Sequence, residues 1–424
     1  METKTAPQLK RGRRLYILQA AFEYHTSIVV TGSFLAVLTR ELGFSDSLTG
    51  ILTSMICLGC LFQLLSITCR VPRVKKLVVV CTAANQLLFI ALYLLPLLPL
   101  PPQMKPLLFV AVILTAYIIY YFVFPKKITW LMSQVEDGRR GVFTANKEIF
   151  SLLTGMAFSY LMGALSDHFF ELGQGQTAFA IFAAVMVLLM FLNVSCMVFT
   201  EEQPLPQQPR ASLRQILKEV AENRDVLRMA VMFSLYYIAH YIAIPFYGIY
   251  QINELGFSLK FVSLLTIVYS VVRIAVSKAW GRYADRRSFA VMLEKCFWIL
   301  AAALLCVVFA VPSNGTVMFL LYNVLFGIAQ GGLNSAQTNM VFDYAPPEKR
   351  SDALAVCQAV SGITGFLATL CVSPLVDYIQ SSGNMLFGLP VYAQQVMSLL
   401  GVLFTVVAIM YLRLMLMNRK PTPQ

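Results

Sequence analysis

Twelve apolar stretches follow one another along the chain, and each is about as long as the 20 residues that an α-helix needs to cross a bilayer. Hydrophobic residues make up 58% of the sequence and charged residues only 13%. Soluble domains contain roughly 45–50% and about 25% of these residues, respectively. A chain with this composition must bury its apolar surface in lipid. The sequence therefore predicts an all-α membrane protein with twelve transmembrane helices.

Glycine and proline residues separate these stretches and limit their lengths. Gly43, Gly256 and the proline-rich run 96–106 are examples. The predicted spans are residues 15–38, 47–68, 75–98, 106–132, 142–165, 176–199, 226–250, 259–280, 289–311, 315–342, 352–376 and 391–413.

The first six spans resemble the last six. The pentapeptide Glu-Leu-Gly-Phe-Ser occurs at residues 41–45 and again at residues 254–258, an offset of 213. Five further residues recur at an offset of 210, as Arg140 and Arg350, Ser151 and Ser361, Thr154 and Thr364, Gly155 and Gly365, and Asp167 and Asp377. Shared membrane composition is the alternative explanation, but Arg and Asp are rare within spans. We interpret the chain as a duplication that gives two pseudo-symmetric six-helix bundles.

A long polar interval, residues 200–228, separates the two halves. Its first part is rich in Pro and Gln and is not expected to hold regular structure. Ser212 then offers an N-cap, and Leu213, Leu217 and Val220 follow at helical spacing, which predicts a short amphipathic helix on the membrane surface. The predicted domains are an N-terminal six-helix bundle at 1–199, a cytoplasmic linker at 200–225 and a C-terminal six-helix bundle at 226–424.

Lys and Arg residues are distributed unevenly between the two ends of the spans. The N-terminus, the loops after even-numbered spans and the C-terminus hold, with the adjoining span ends, 27 of the 33. The loops on the other side hold Arg40, Lys105 and Lys260. By the positive-inside rule, both termini are cytoplasmic and the protein lies in the cell membrane. Cytoplasmic loops and anionic headgroups thus explain the net charge of +12, and nucleic acid is not expected as a partner.

The sequence contains no pattern typical of a cofactor, a metal site or an enzyme's active site. Cys57 and Cys60 have the spacing of a metal-binding or redox pair, but they lie inside an apolar segment. The motifs HExxH and GxSxG and a phosphate-binding glycine loop are missing. The basic N-terminal run leads into a full-length span without a small-residue cleavage site, so a signal peptide is not expected.

Polar side chains inside the spans concentrate on spans 1, 4, 7 and 10. One polar face would suit hydrogen bonding between helices in a dry bundle. Four such faces, on every third helix, favour a shared wet cavity that binds a small-molecule solute. The tyrosines there suit a sugar-like or aromatic solute, because Tyr offers both a ring and a hydroxyl group. The candidate cavity residues are Gln19, Glu23, Tyr120, Lys126, Tyr236, His240, Arg273, Asn323, Gln330 and Asn334.

Residues 281–287 read Gly-Arg-Tyr-Ala-Asp-Arg-Arg and lie between spans 8 and 9. Together with the two six-span halves and the polar linker, this motif resembles the major facilitator superfamily of transporters, and the resemblance covers nearly the whole chain. The family's loop motif has Gly, then Asp four residues later, then a basic residue, which Gly281, Asp285 and Arg286 match. The corresponding loop of the first half departs from it, because only the basic residue, Arg73, is kept.

The resemblance implies a secondary transporter whose two halves rock about a site at the membrane midplane. By the pseudo-symmetry of the halves, Asp285 should meet the start of span 5 when the cytoplasmic side is closed. The predicted gating residues are Gly281, Asp285, Arg286, Arg139 and Arg140. The span-5 Gly-Pro pair of the family's proton–drug antiporters and the signature of its sugar porters after span 6 are both missing.

Glu23 is the only carboxylate deep on the cavity face of the first half, and we expect it to couple transport to protons. A charge within a span is costly unless it is paired or hydrated. If Lys126 or Arg273 approaches Glu23 in one state only, the proton affinity of Glu23 differs between states, and a proton gradient can drive a solute. His240 is the second candidate proton carrier, because its unperturbed pKa lies near physiological pH. A purely structural ion pair is the alternative role for Glu23.

The same residues are compatible with uptake by symport and with efflux of a drug or metabolite by antiport. A non-transporting receptor on a transporter scaffold is the alternative from another class, although the sequence contains no extra sensory domain. The protein is expected to function as a monomer.

Overall fold

The computed structural model describes residues 6–69, 73–135, 140–202, 212–344 and 350–417. Its α-helices are α1 (Ala6–Val29), α2 (Gly32–Glu41), α3 (Asp46–Gly59), α4 (Gln63–Thr68), α5 (Val74–Leu94), α6 (Met104–Met132), α7 (Arg140–Glu171), α8 (Gly175–Val198), α9 (Leu213–Glu222), α10 (Arg224–Ala243), α11 (Tyr247–Ile249), α12 (Leu259–Arg286), α13 (Phe289–Val308), α14 (Gly315–Tyr344), α15 (Arg350–Ser381) and α16 (Ala393–Met415). Short 3-10 helices lie at Cys60–Phe62, Leu95–Leu97 and Ile244–Phe246, and a π-helical turn lies at Tyr250–Glu254. The sheet found in these residues is one hairpin of β1 (Met385–Leu386) and β2 (Leu389–Pro390).

Eleven helical segments in the described ranges are long and apolar enough to cross a membrane. The pair of α1 and α2 provides a twelfth candidate if it is taken as one span, bent by 41°. The prediction of an all-α membrane protein is therefore confirmed. The first predicted span, 15–38, was expected to be continuous, but α1 ends at Val29 and Gly32 adopts a φ of +56°. That conformation lies outside the helical region, and glycine reaches it without a steric penalty.

Two further helices bear on the sequence analysis. The linker helix is present as α9, and the Ser212 hydroxyl caps it by accepting from the Gln215 amide at 3.2 Å. The motif predicted to lie in a loop after span 8 is helical from Gly281 to Arg286, where α12 ends, and Arg287 follows as its C-cap.

The chain divides into two compact units, Met1–Leu42 with Phe62–Arg210, and Gly43–Leu61 with Ala211–Gln424. In the first unit, α1 packs against α7 and α8, and α5 packs against α6 and α8. In the second unit, α10 packs against α15 and α16, and α13 packs against α14 and α16. The helix α3 belongs to the second unit, because it packs against α15. The domain boundaries at 199 and 226 stay a prediction.

The proposed duplication is visible in the helix ends and turns. Helices α7 and α15 each contain 32 residues, and both of their ends are offset by 210. In the repeated pentapeptide, Gly43 and Gly256 have φ values of +72° and +66°. The following residues, Ser45 and Ser258, each cap the next helix by accepting a backbone amide bond, at 3.2 Å and 3.1 Å. The same sequence therefore forms the same turn twice.

The repeated glycines in α7 and α15 serve the same purpose in each unit. A Cβ atom at Gly155 would lie 2.4 Å from the Tyr24 ring of α1, and one at Gly365 would lie 2.9 Å from the Tyr241 ring of α10. Real Cβ atoms do not approach other atoms so closely, so each glycine makes room for a tyrosine of the neighbouring helix. These contacts agree with the close packing that small residues permit between membrane helices.

Candidate functional site

A buried ion pair joins α1 and α6 in the first unit. The Lys127 Nζ atom lies 2.5 Å from Glu23 Oε1 and 2.6 Å from Glu23 Oε2. The side chain of Lys127 is 3% exposed and that of Glu23 is 20% exposed. Two opposite charges thus meet on transmembrane helices, where neither could stay unpaired without a large desolvation penalty.

Two neutral polar side chains and a second cation complete the surroundings of this pair. Gln19 donates its side-chain amide to Glu23 Oε2 at 2.5 Å, and Tyr120 also bonds the carboxylate. Lys127 lies 4.9 Å from the centre of the Tyr120 ring. A further cation, Lys147, lies 5.0 Å from the centre of the Tyr16 ring and interacts electrostatically with Glu23.

Helical periodicity explains how these side chains meet. Gln19 and Glu23 are one turn apart on α1, and Tyr120 and Lys127 are two turns apart on α6, so each pair shares a face. The two faces supply one carboxylate, one ammonium group and two neutral donors. Such a group can hold either an ion pair or a proton on the carboxylate.

The partner of Glu23 is not the lysine expected from the sequence. Lys126, which the sequence analysis proposed, is 8% exposed and donates to the Ser66 backbone oxygen and, at 2.9 Å, to its hydroxyl oxygen. It therefore points to the last turn of α4, because consecutive residues of a helix project about 100° apart. Arg273, the other proposed partner, lies in the second unit and donates to the Tyr269 hydroxyl at 3.4 Å.

The second unit contains a group of aromatic rings around His240 of α10. The ring centre of His240 lies 5.7 Å from that of Tyr236, 4.9 Å from that of Tyr241 and 6.0 Å from that of Phe326. Its Nδ1 atom is buried, with no hydrogen-bond partner in the described part of the chain. Gln330 of α14 donates to the Tyr236 hydroxyl at 3.1 Å.

Other predicted cavity residues have different environments. Asn323 is 9% exposed and donates to the Phe319 carbonyl of its own helix at 2.7 Å, so this bond satisfies part of its side chain locally. Asn334 is exposed. Arg273 is part of the aromatic group, because the ring of its partner Tyr269 stacks on Phe326 at 5.5 Å.

The predicted gating residues that the structure describes lie at the ends of two helices. Gly281, Asp285 and Arg286 occupy the last turns of α12, and both charged side chains are exposed. Arg139 lies outside the described residues. Arg140 begins α7, but its side chain also lies outside the described part. The gate itself stays a prediction.

Sequence reasoning missed several polar residues of the spans. His25 bonds Thr154 at 3.1 Å and stacks on Phe158 at 4.8 Å. Glu294, 5% exposed on α13, pairs with Arg413 of α16. The sequence has two consecutive lysines, Lys126 and Lys127, and helical spacing alone does not decide which of them faces Glu23. No sequence signal links Glu294 to Arg413, a residue 119 positions away.

The match to known proteins agrees with this architecture. A family model described as the Major Facilitator Superfamily matches residues 17–369 and 229–424. The chain belongs to the major facilitator superfamily. It is therefore a multi-pass membrane protein and a transporter, not an enzyme. A search of curated proteins found no match to the sequence.

Solved structures of transporters have the same fold. The nucleoside transporter NupG superposes with a TM-score of 0.69 at 15% identity, over 97% of this chain and 100% of that one. An auto-inhibited POT family peptide transporter gives a TM-score of 0.68 at 12% identity, over 97% and 99% of the two chains. The D-xylose–proton symporter gives 0.62 at 15% identity, over 93% and 96%. At these identities the likeness establishes the fold alone.

Proposed function

We propose that this family member is a proton-coupled secondary transporter of a small organic solute. It acts by alternating access in the cytoplasmic membrane, as a monomer with both termini in the cytoplasm. The observation that carries the proposal is the buried ion pair of Glu23 and Lys127, with Gln19 and Tyr120 bonded to the same carboxylate.

A buried ion pair is a poor device for stability alone, because the desolvation of two charges offsets most of their attraction. It does allow the Glu23 carboxylate to bind and release a proton. When Lys127 contacts Glu23, the carboxylate has a cation and does not need a proton. When a change of state separates the two, the carboxylate must take up a proton or water to remain in the span. A proton site whose occupancy depends on the state can drive a solute.

The aromatic group of the second unit supports the class of solute. Tyr236, His240 and Tyr241 offer ring faces, and Gln330 and Arg273 offer hydrogen-bond donors nearby. Such a lining suits a solute that has a ring and several hydroxyl or amide groups, because rings stack while polar groups fix the orientation. The similarity to a nucleoside transporter and a D-xylose–proton symporter is consistent with this class.

The first experiment identifies a solute that binds and then tests whether the protein transports it. Purified protein is screened by thermal shift with nucleosides, pentoses, hexoses and short peptides, because a bound solute raises Tm by mass action. The most stabilising solute is then supplied to proteoliposomes under an imposed pH gradient. We expect accumulation that stops when a protonophore collapses the gradient.

The same assay separates the alternatives. A solute that stabilises the protein but crosses the membrane in neither direction would favour a receptor and contradict the proposal. The sign of the pH gradient that drives accumulation distinguishes uptake by symport from efflux by antiport. If the internal solute concentration rises only to the outside concentration, with or without a pH gradient, the transport is not coupled to protons and the proposal is contradicted.

A further inference from the structure

Another buried carboxylate, Asp46, lies at the N-terminal end of α3, in the second unit. Asp46 is 6% exposed and accepts hydrogen bonds from three side-chain amides. Asn253 of the π-helical turn donates to Oδ1 at 3.2 Å, and Gln394 of α16 lies 3.5 Å from Oδ2. Gln380, in the last turn of α15, donates to the same Oδ2 atom. One carboxyl group therefore ties α3 to three segments of the second half.

The charged groups around Asp46 are all acidic. Asp377 of α15 and Glu254 of the π-helical turn both interact with it electrostatically, and Glu254 itself accepts a bond from Asn384 at 3.3 Å. No cation pairs with Asp46 in the described ranges of the chain. The N-terminus of α3 favours a negative charge on Asp46. The two neighbouring carboxylates and the burial oppose it.

Gln394 has an unsatisfied atom beside this carboxyl group. It is 0% exposed, and its Oε1 atom has no hydrogen-bond partner in the described part of the structure, although its amide contacts Asp46. The oxygen and nitrogen of a glutamine amide are interchangeable by a flip. After that flip, Oε1 faces Asp46 and needs a donor. A protonated Asp46 supplies that donor, because a protonated carboxyl can donate whereas a carboxylate can only accept; Nε2 then takes the position in which Oε1 has no partner.

This cluster lies at one end of a close helix contact. A Cβ atom at Gly362 of α15 would lie 2.5 Å from the Cys57 carbonyl oxygen of α3. A Cβ atom at Gly50 of α3 would lie 2.1 Å from the Phe246 ring. Helix α3 is therefore held against second-half segments both by direct backbone packing and by Asp46.

We propose that Asp46 is a proton-binding latch, in which a proton shared with Gln394 stabilises the contact of α3 with α15. When α3 separates from α15, water reaches Asp46, solvates its charge and releases the proton. The latch is a second protonation site, independent of Glu23. By the predicted topology it lies at the non-cytoplasmic end, where protons from that side would close it.

The test measures how easily Cys57 is reached. The native full-length protein in detergent is alkylated with a maleimide at about pH 5.5 and about pH 8, which bracket the range in which buried carboxyls titrate. Mass spectrometry gives the rate at buried Cys57 relative to exposed Cys371. Asp46→Asn is neutral at both values. Asp377→Asn is the matched control, because it removes a neighbouring carboxylate that does not bond the amides.

At the higher pH, Cys57 of the wild type should react about tenfold faster than Cys57 of Asp46→Asn, because α3 separates from α15 more often in the wild type. At the lower pH the two rates should be equal. Asp377→Asn should still react faster at the higher pH than at the lower one, with the transition moved to lower pH because one carboxylate that opposes the charge on Asp46 is gone. The latch would be overturned if the relative rate at Cys57 in the wild type did not differ between the two pH values. It would also be overturned if the rate in Asp46→Asn changed with pH as it does in the wild type.

Gln394→Leu gives a second, independent test should Asp46→Asn fail to fold. It removes the proton acceptor and leaves the carboxylate in place. Cys57 should then react at about the same rate at both pH values, at the level of the opened wild type. A Gln394→Leu protein that becomes protected at the lower pH as the wild type does would overturn the role of Gln394.

Discussion

Glu23 and Lys127 illustrate how much depends on single residues within the spans. Their charges satisfy each other across two helices, with Lys127 almost fully buried. Glu294 and Arg413 form a second pair, but the Arg413 side chain is 54% exposed. The two pairs therefore differ in how well the surviving partner could reach polar surroundings after a mutation.

Glu23→Gln should lower the free energy of unfolding by about 3 kcal/mol, because it leaves the Lys127 ammonium buried without its carboxylate. Adding Lys127→Met should restore at least about half of this loss, since an apolar side chain needs no partner. Thermal unfolding of the single and double variants in detergent measures both effects.

Glu294→Gln is the matched control for this cycle. Arg413 can extend to water or lipid headgroups, so the loss should be about 1 kcal/mol or less. A double variant less stable than Glu23→Gln would show that Lys127 is stabilised by other groups.

At the scale of helices, glycine contacts determine which elements approach closely. Gly362 brings α15 against the backbone of α3, whereas a Cβ built at Gly281 of α12 meets no atom within 4 Å among the described residues outside its own helix backbone. Both glycines lie in helices, where alanine is intrinsically preferred. Packing alone therefore decides whether an alanine at each position raises or lowers the stability of the protein.

Gly362→Ala should destabilise the protein by about 1–3 kcal/mol, because the methyl group meets the Cys57 carbonyl and the helices must move apart. Gly281→Ala should leave stability unchanged or raise it by up to about 1 kcal/mol. Paired thermal unfolding curves check the difference, and equal effects of the two substitutions would contradict the packing argument.

For the molecule as a whole, the duplication was readable from the sequence because turns and charged residues repeat at fixed offsets. The shared turn at Gly43 and Gly256 and the equal lengths of α7 and α15 follow directly from those repeats. The bend after Val29 was not predicted, because a hydropathy pattern does not report backbone angles. The packing of α3 with second-half helices was equally unpredictable, since it depends on long-range contacts.

The candidate site was predictable only in part. Periodicity placed Gln19 and Glu23 on one face of a polar helix, which the hydrogen bond between them agrees with. It could not choose between two consecutive lysines, because that choice depends on the rotation of α6 relative to α1. Asp46 was not singled out at all, since its three amide partners come from segments more than 200 residues away.

The predicted topology is testable on intact cells that express the protein. The excess of Lys and Arg on one side predicts that tags on both termini are shielded from an external protease or antibody. A cysteine at Phe387, which is 95% exposed in the hairpin of β1 and β2, should react with an impermeant maleimide from outside. Labelling of the termini on intact cells, or protection of position 387, would show that the orientation is the reverse of the predicted one.

The most direct test of the central claim is solute transport by Glu23→Gln in proteoliposomes. With the solute found by thermal shift, accumulation driven by a pH gradient is measured beside exchange of labelled for unlabelled solute at equal pH. Glu294→Gln is the control for breaking an ion pair between two spans, and it should keep both activities. Glu23→Gln should lose accumulation and keep part of the exchange, because exchange requires no net proton movement. Full gradient-driven accumulation by Glu23→Gln would contradict the role of Glu23 in coupling.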